Sequence, residues 1–157
     1  MPAELFRPLH ISRKGVITVD LGAQDTLELF TPEGERRWVD GWQPEYLYRA
    51  GGGDEIDTVF RTRHGGEETL WIVLDHDLEE GTASYSRLTP GSRLGTVTVS
   101  VDGIDERSSW VEICYEMTGL SPAGNEALRA LDAKAFRAML DDWQQRIAGT
   151  LTSSGRR

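Results

Sequence analysis

The stretch LGTVTVSVDGIDERSSWVEICYEMTGLSPAGN, residues 94–125, holds the pattern that decides the fold. In its first part Val97, Val99 and Val101 share one face while Thr96, Thr98 and Ser100 share the other. In its second part Val111, Ile113, Tyr115 and Met117 oppose Glu112, Cys114 and Glu116. A period of two marks a half-buried strand, because successive side chains leave opposite faces of the pleat. Ser121 and Pro122 then open a helix: the hydroxyl accepts from a free amide, and proline lacks an N–H that the first turn does not need. With no later proline, the pattern predicts one helix of about 30 residues, roughly 45 Å long at 1.5 Å per residue. Leu128, Leu131, Ala135 and Met139 fall on one arc of it and Phe136, Leu140, Trp143 and Ile147 on the adjoining arc, a broad apolar stripe. Arg129 and Arg146 sit at its margins, where long stems lie along apolar surface.

Outward from this stretch, Gly51-Gly52-Gly53, Gly65-Gly66, Gly81, Pro90-Gly91 and Gly103 divide the chain at hairpin spacing. Between them lie the β-rich segments EIDTVFRTRH, ETLWIVLDHD and TASYSRLT, and with PEYLYRA and GVITV the strands number seven. AQDTLELF and PEGERRWV read as two short helices between the first and second strands, the latter started by Thr31-Pro32. Runs of strands followed by a run of helix predict an α+β domain over residues 1–157, with an ordered core of about 11–151 and a frayed TSSGRR tail. The sheet has one apolar face and only the terminal helix is large enough to cover it. A helix about 10 Å across fills a strongly curved sheet incompletely, which favours an interior pocket.

Composition narrows the function classes. Lys and Arg number 17 against 26 Asp and Glu, a net charge of −9, which repels phosphate backbones and anionic lipid. No apolar run approaches the ~20 residues of a bilayer span, so membrane insertion is not expected. The single Cys114 forms no internal disulfide, and MPAELFRPLH lacks the pattern of a secretory signal. The expected compartment is the cytoplasm. The oligomeric state is left open.

Several motifs resemble a known family. Leu29-Phe30-Thr31-Pro32-Glu33-Gly34-Glu35-Arg36-Arg37-Trp38, followed by Gly41-Trp42-Gln43-Pro44, resembles the segment after the first strand in bacterial proteins of the SRPBCC superfamily, the START-related helix-grip fold. Thr69-Leu70-Trp71-Ile72-Val73 and Tyr85-Ser86-Arg87-Leu88-Thr89-Pro90-Gly91 look like its central strands. Tyr115-Glu116-Met117-Thr118-Gly119-Leu120-Ser121-Pro122-Ala123-Gly124-Asn125 looks like its entry to the gripped helix. The resemblance runs from about Ile11 to Leu151. It implies a seven-stranded curved antiparallel sheet around the helix, holding a hydrophobic ligand, lipid-like or polyketide-like. The superfamily also includes cyclases and aromatases, as well as chaperone activators, so fold alone does not choose among them.

Read by alternation, Phe60, Trp71, Tyr85, Val97, Val99, Ile113, Tyr115 and Met117 face Phe136, Met139, Leu140 and Trp143 on the helix, as pocket wall or as solid core. Both faces of ETLWIVLDHD are apolar, so either Trp71 and Val73 or Leu70, Ile72 and Leu74 point inward. If the chain is an enzyme, Tyr85, Tyr115 and Asp75 are the candidate polar participants, with Asp75 on the face of Trp71 and Val73. No cofactor and no metal are expected. Neighbours in Asp75-His76-Asp77 leave opposite faces of a strand, His10 and His64 are isolated, and Cys114 faces away from the pocket. Gly51-Gly52-Gly53-Asp54 precedes a strand and lacks a following Lys-Ser or Lys-Thr, so it reads as a turn and not as a phosphate loop. Trp38 and Trp42 either anchor the short helices or gate one end of the sheet. The outward Glu112, Glu116, Asp57 and Arg61 form a solvated charged face, which gives a protein-interaction module little support.

Overall fold

The computed structural model describes residues 5–51 and 54–154. Its elements are β1 (His10–Val19), α1 (Ala23–Glu28), a 3₁₀ turn (Gly34–Arg37), β2 (Glu45–Tyr48), β3 (Val59–His64), β4 (Glu67–Asp77), β5 (Thr82–Thr89), β6 (Arg93–Asp105), β7 (Ser108–Gly119), α2 (Pro122–Ala130) and α3 (Ala133–Ser154). The strands form one antiparallel sheet in the order β1-β7-β6-β5-β4-β3-β2, so every neighbour except β1 is also a neighbour in sequence. This is the α+β helix-grip architecture that the strand and helix order predicts. Gly52 and Gly53 of the glycine run and residues 155–157 of the tail lie outside the described residues.

Alternation becomes burial on β7, where Val111, Ile113, Tyr115 and Met117 are buried and their neighbours face outward. Val97, Val99 and Val101 on β6 and Ala83 and Tyr85 on β5 continue the same concave face. α3 lays Phe136, Leu140 and Ile147 into it. At Gly15 on β1 an added Cβ would lie 2.4 Å from Leu140 Cδ1, so the bare backbone there leaves room for the Leu140 side chain as it is placed.

Three expectations need correcting. The C-terminal helix is two helices, not one. Leu131 ends α2 outside helical geometry (φ −91°, ψ 59°), and Asp132 Oδ1 accepts from Ala135 N at 2.8 Å, starting α3 as a new N-cap. On β4 the register slips between Val73 and Asp75, so Asp75 pairs with outward Ser84 and not on the face of Val73. Its Oδ2 accepts from Thr82 Oγ1 at 2.8 Å. Finally, β3 starts at Val59, and Asp57 belongs to the loop before it, with φ 78° and its amide donating to Val73 O.

Candidate functional site

The space between sheet and α3 contains a chamber of about 150 Å³ lined by Phe30, Glu35, Val39, Trp42, Trp71, Tyr85, Arg87, Val97, Val99, Tyr115 and Trp143. A second hollow of about 280 Å³ shares five of these walls, namely Val39, Trp42, Trp71, Arg87 and Trp143. It continues past Thr62 and Thr69 to Arg63, His64, Glu67 and Arg93 at the β3–β4 end of the sheet. A larger hollow of about 480 Å³ beside α2 is walled by residues such as Leu5, 87% exposed, and lies on the surface.

Local structure explains each wall. Trp38 Nε1 donates to Leu29 O at 2.7 Å, and the buried indole packs edge-on between Phe30 and Trp143, both at 5.6 Å. Trp38 is therefore an anchor. Trp42 combines anchoring with exposure to the chamber: its Nε1 donates to Pro32 O at 2.8 Å while its ring meets Trp71 edge-on at 5.8 Å. Behind them Phe60 stacks parallel on Trp71 at 5.7 Å, and Trp71 Nε1 donates to Thr62 Oγ1 at 3.0 Å. Thr31 Oγ1 accepts from Gly34 N at 3.0 Å at the start of the 3₁₀ turn that carries Glu35 into the chamber wall.

The polar groups are few and converge. Burial pushes the Glu35 carboxyl well above the usual carboxylate range, and the positive charge of Arg87 only partly offsets it. Arg87 forms no ion pair with a described carboxylate, its Nε is buried without a hydrogen-bond partner, and its guanidinium lies over the Trp71 ring at 4.8 Å. Burial lowers its pKa, but a guanidinium stays charged. Burial also pushes the Tyr115 hydroxyl up to about 12, with Arg87 beside it acting in the opposite direction. Tyr85 spends its hydroxyl on Phe30 O at 2.8 Å. Here a carboxyl whose pKa burial raises and a permanent cation line the same aromatic-walled space.

Of the residues singled out by alternation, Trp71, Tyr85, Val97, Val99, Tyr115 and Trp143 line the chamber. Phe60, Ile113, Met117, Phe136 and Leu140 are buried packing residues outside its wall, and Met139 packs against the core while half-buried. Asp75 lies on the outer face of the sheet, which removes it from any chemistry in the chamber. Glu35 and Arg87 were missed. Arg87 had a readable signal, because it shares its strand face with Ala83 and Tyr85, and a charge at an inward position asks for a reason. Glu35 had none, since a four-residue 3₁₀ turn offers no periodicity.

Sheet, gripped helix and the hollow between them define the class by architecture: a helix-grip fold. Solved structures agree across most of the chain. Norcoclaurine synthase from Thalictrum flavum, in complex with dopamine and hydroxybenzaldehyde, aligns with TM-score 0.64 at 14% identity, covering 96% of this chain and 90% of that one. A START superfamily protein from Mycobacterium smegmatis aligns with TM-score 0.66 at 11% identity, covering 88% and 97%. The di-domain ARO/CYC protein BexL aligns with TM-score 0.66 at 15% identity, covering 88% of this chain but 46% of BexL, so the chain spans about half of that protein. No protein-family model and no curated protein sequence matches the chain. Among the described residues no helix is long and apolar enough to cross a membrane.

Proposed function

We propose that the chain binds a small hydrophobic molecule, of the size of one aromatic ring, in the chamber between sheet and α3. The observation that carries this reading is a hollow walled by Trp42, Trp71 and Trp143 between the sheet and α3. Apolar concavities with a few convergent polar groups are the usual form of small-molecule sites. A cavity of about 150 Å³ is the size that accepts benzene. A lipid-like or polyketide-like ligand is too long for the chamber alone and would continue into the adjoining hollow past Arg87. The aromatic compounds named with norcoclaurine synthase support the same size class. The test is titration of the protein with phenol and benzyl alcohol, followed by Trp emission, together with native mass spectrometry for a co-purifying compound. Saturable quenching is expected. No spectral change and no bound mass would overturn the reading.

A second reading, catalysis, is favoured by Glu35. A carboxyl whose pKa burial raises is suited to donate a proton to a bound ligand, as keto–enol chemistry requires. Tyr115 and Arg87 supply further donors, whereas Asp75 has no part. In this reading the protein speeds exchange of the α-hydrogens of acetophenone for deuterium, with Glu35 donating to the carbonyl oxygen and water removing the α-proton. NMR of the ketone in heavy water measures it. Exchange at the same rate with Glu35→Gln would rule catalysis by Glu35 out.

A further inference from the structure

The chamber holds a cation, Arg87, that forms no ion pair with a carboxylate among the described residues and has the Tyr115 hydroxyl beside it. The other arginines near the opening are already paired. Arg93 makes two bonds to Glu67, at 3.0 and 2.9 Å, and Arg63 reaches Glu68 at 3.3 Å. Arg87 lines both hollows, forms no ion pair with a described carboxylate, and keeps a buried Nε without an acceptor. Its face is occupied by Trp71 at 4.8 Å, so its N–H edge, beside the Tyr115 hydroxyl, is the part that can meet a ligand. The acid on the opposite wall does not answer the charge, since Glu35 makes no ion pair with it and its burial favours the neutral form.

We infer that the ligand of this chamber is an aromatic carboxylate, its ring among the indoles of Trp42, Trp71 and Trp143 and its carboxylate on the N–H edge of Arg87. This rests on the ligand-binding reading above and gives it a chemical class. Guanidinium and carboxylate match as a planar fork, two parallel N–H donors meeting two oxygens, and the pairing is strong where water is excluded. An ammonium ligand would meet a like charge. A neutral ring would leave the guanidinium unanswered, with its desolvation uncompensated. A phosphate brings more charge than one arginine neutralises in a chamber of this size.

Benzoate and benzamide separate these cases, because they share ring and shape and differ in charge. Titrated into the full chain at neutral pH with Trp emission or calorimetry as readout, benzoate is expected to bind at least about tenfold tighter than benzamide. Arg87→Gln is expected to remove that preference, and Arg87→Lys to restore part of it. Benzamide binding as tightly as benzoate to the unaltered protein would overturn the inference and leave the ligand-binding reading standing, whatever the variants do. A folded Arg87→Gln protein that keeps the preference would also overturn it. Failure of both compounds to bind would remove the cavity reading and this inference with it.

Discussion

Between α3 and the concave face of the sheet, one part is filled by buried aliphatic side chains beneath an outer groove between β1 and α3, while another, lined by the 3₁₀ turn and by residues of β4 to β7, is hollow. Leu140, Phe136, Ile147, Ile17, Val111 and Ile113 belong to the filled part, every one of them at most 3% exposed. The hollow part has Trp and Tyr walls, a carboxyl whose pKa burial raises, and an arginine that forms no ion pair with a described carboxylate. Both parts share strands, helix and alternation. The difference arises where a bulky aliphatic meets a missing Cβ, as Leu140 does over Gly15, against where aromatic rings brace one another edge-on and leave a gap. One part supplies stability and the other spends some of it on holding polar groups out of water.

The largest expected effect lies in the filled part. Leu140→Ala removes a fully buried side chain from close packing and is expected to cost about 2–5 kcal/mol in urea unfolding, because the cavity it leaves collapses only partly. A loss below about 1 kcal/mol, on the scale of a single buried methylene, would mean that this part is as loosely filled as the chamber and would erase the contrast.

The sequence carried the filled part well and the hollow part poorly, for physical reasons. Alternation along β6 and β7 fixes which residues face inward, and the broad stripe on α3 fixes what covers them. The break at Asp132 stayed hidden because the apolar spacing runs on through it, and its signal is one capping carboxylate. The outward turn of Asp75 was hidden because a bulge adds a residue without a mark in an apolar strand. Alternation also says that a side chain faces inward without saying whether it touches another, so Ile113 and Tyr115 look alike in sequence although only Tyr115 borders the chamber. Glu35 reaches the site from a short turn, where position follows from tertiary packing of Trp38 and Trp42.

A middle effect tests how the hollow part is braced. Tyr85→Phe deletes the bond to Phe30 O without changing the ring, and is expected to cost about 1 kcal/mol, the net worth of one such bond. Urea unfolding measures it. An unchanged midpoint would show that the tie between β5 and the segment after α1 contributes nothing to keeping the chamber open.

The smallest effect carries a sign that separates the two parts. The folded-state pKa of Glu35 is raised above the ordinary carboxylate value of 4.5, first by burial, with Arg87 only partly opposing. Below that ordinary value, folded and unfolded chains both hold the proton and the group is neutral in its effect. As pH rises from there toward the raised value, the unfolded chain loses its proton first, so stability falls through that window and the loss persists above it. Glu35→Gln removes the titration while keeping the shape. Its melting temperature relative to the parent is therefore expected to be higher at pH 8 than at pH 4, by about 2–4 °C for each kcal/mol relieved. Scanning calorimetry of both proteins at the two pH values decides it. An equal offset at both would mean that Glu35 is solvated when folded, and the hollow part would lose the acid that distinguishes it from a simple packing defect.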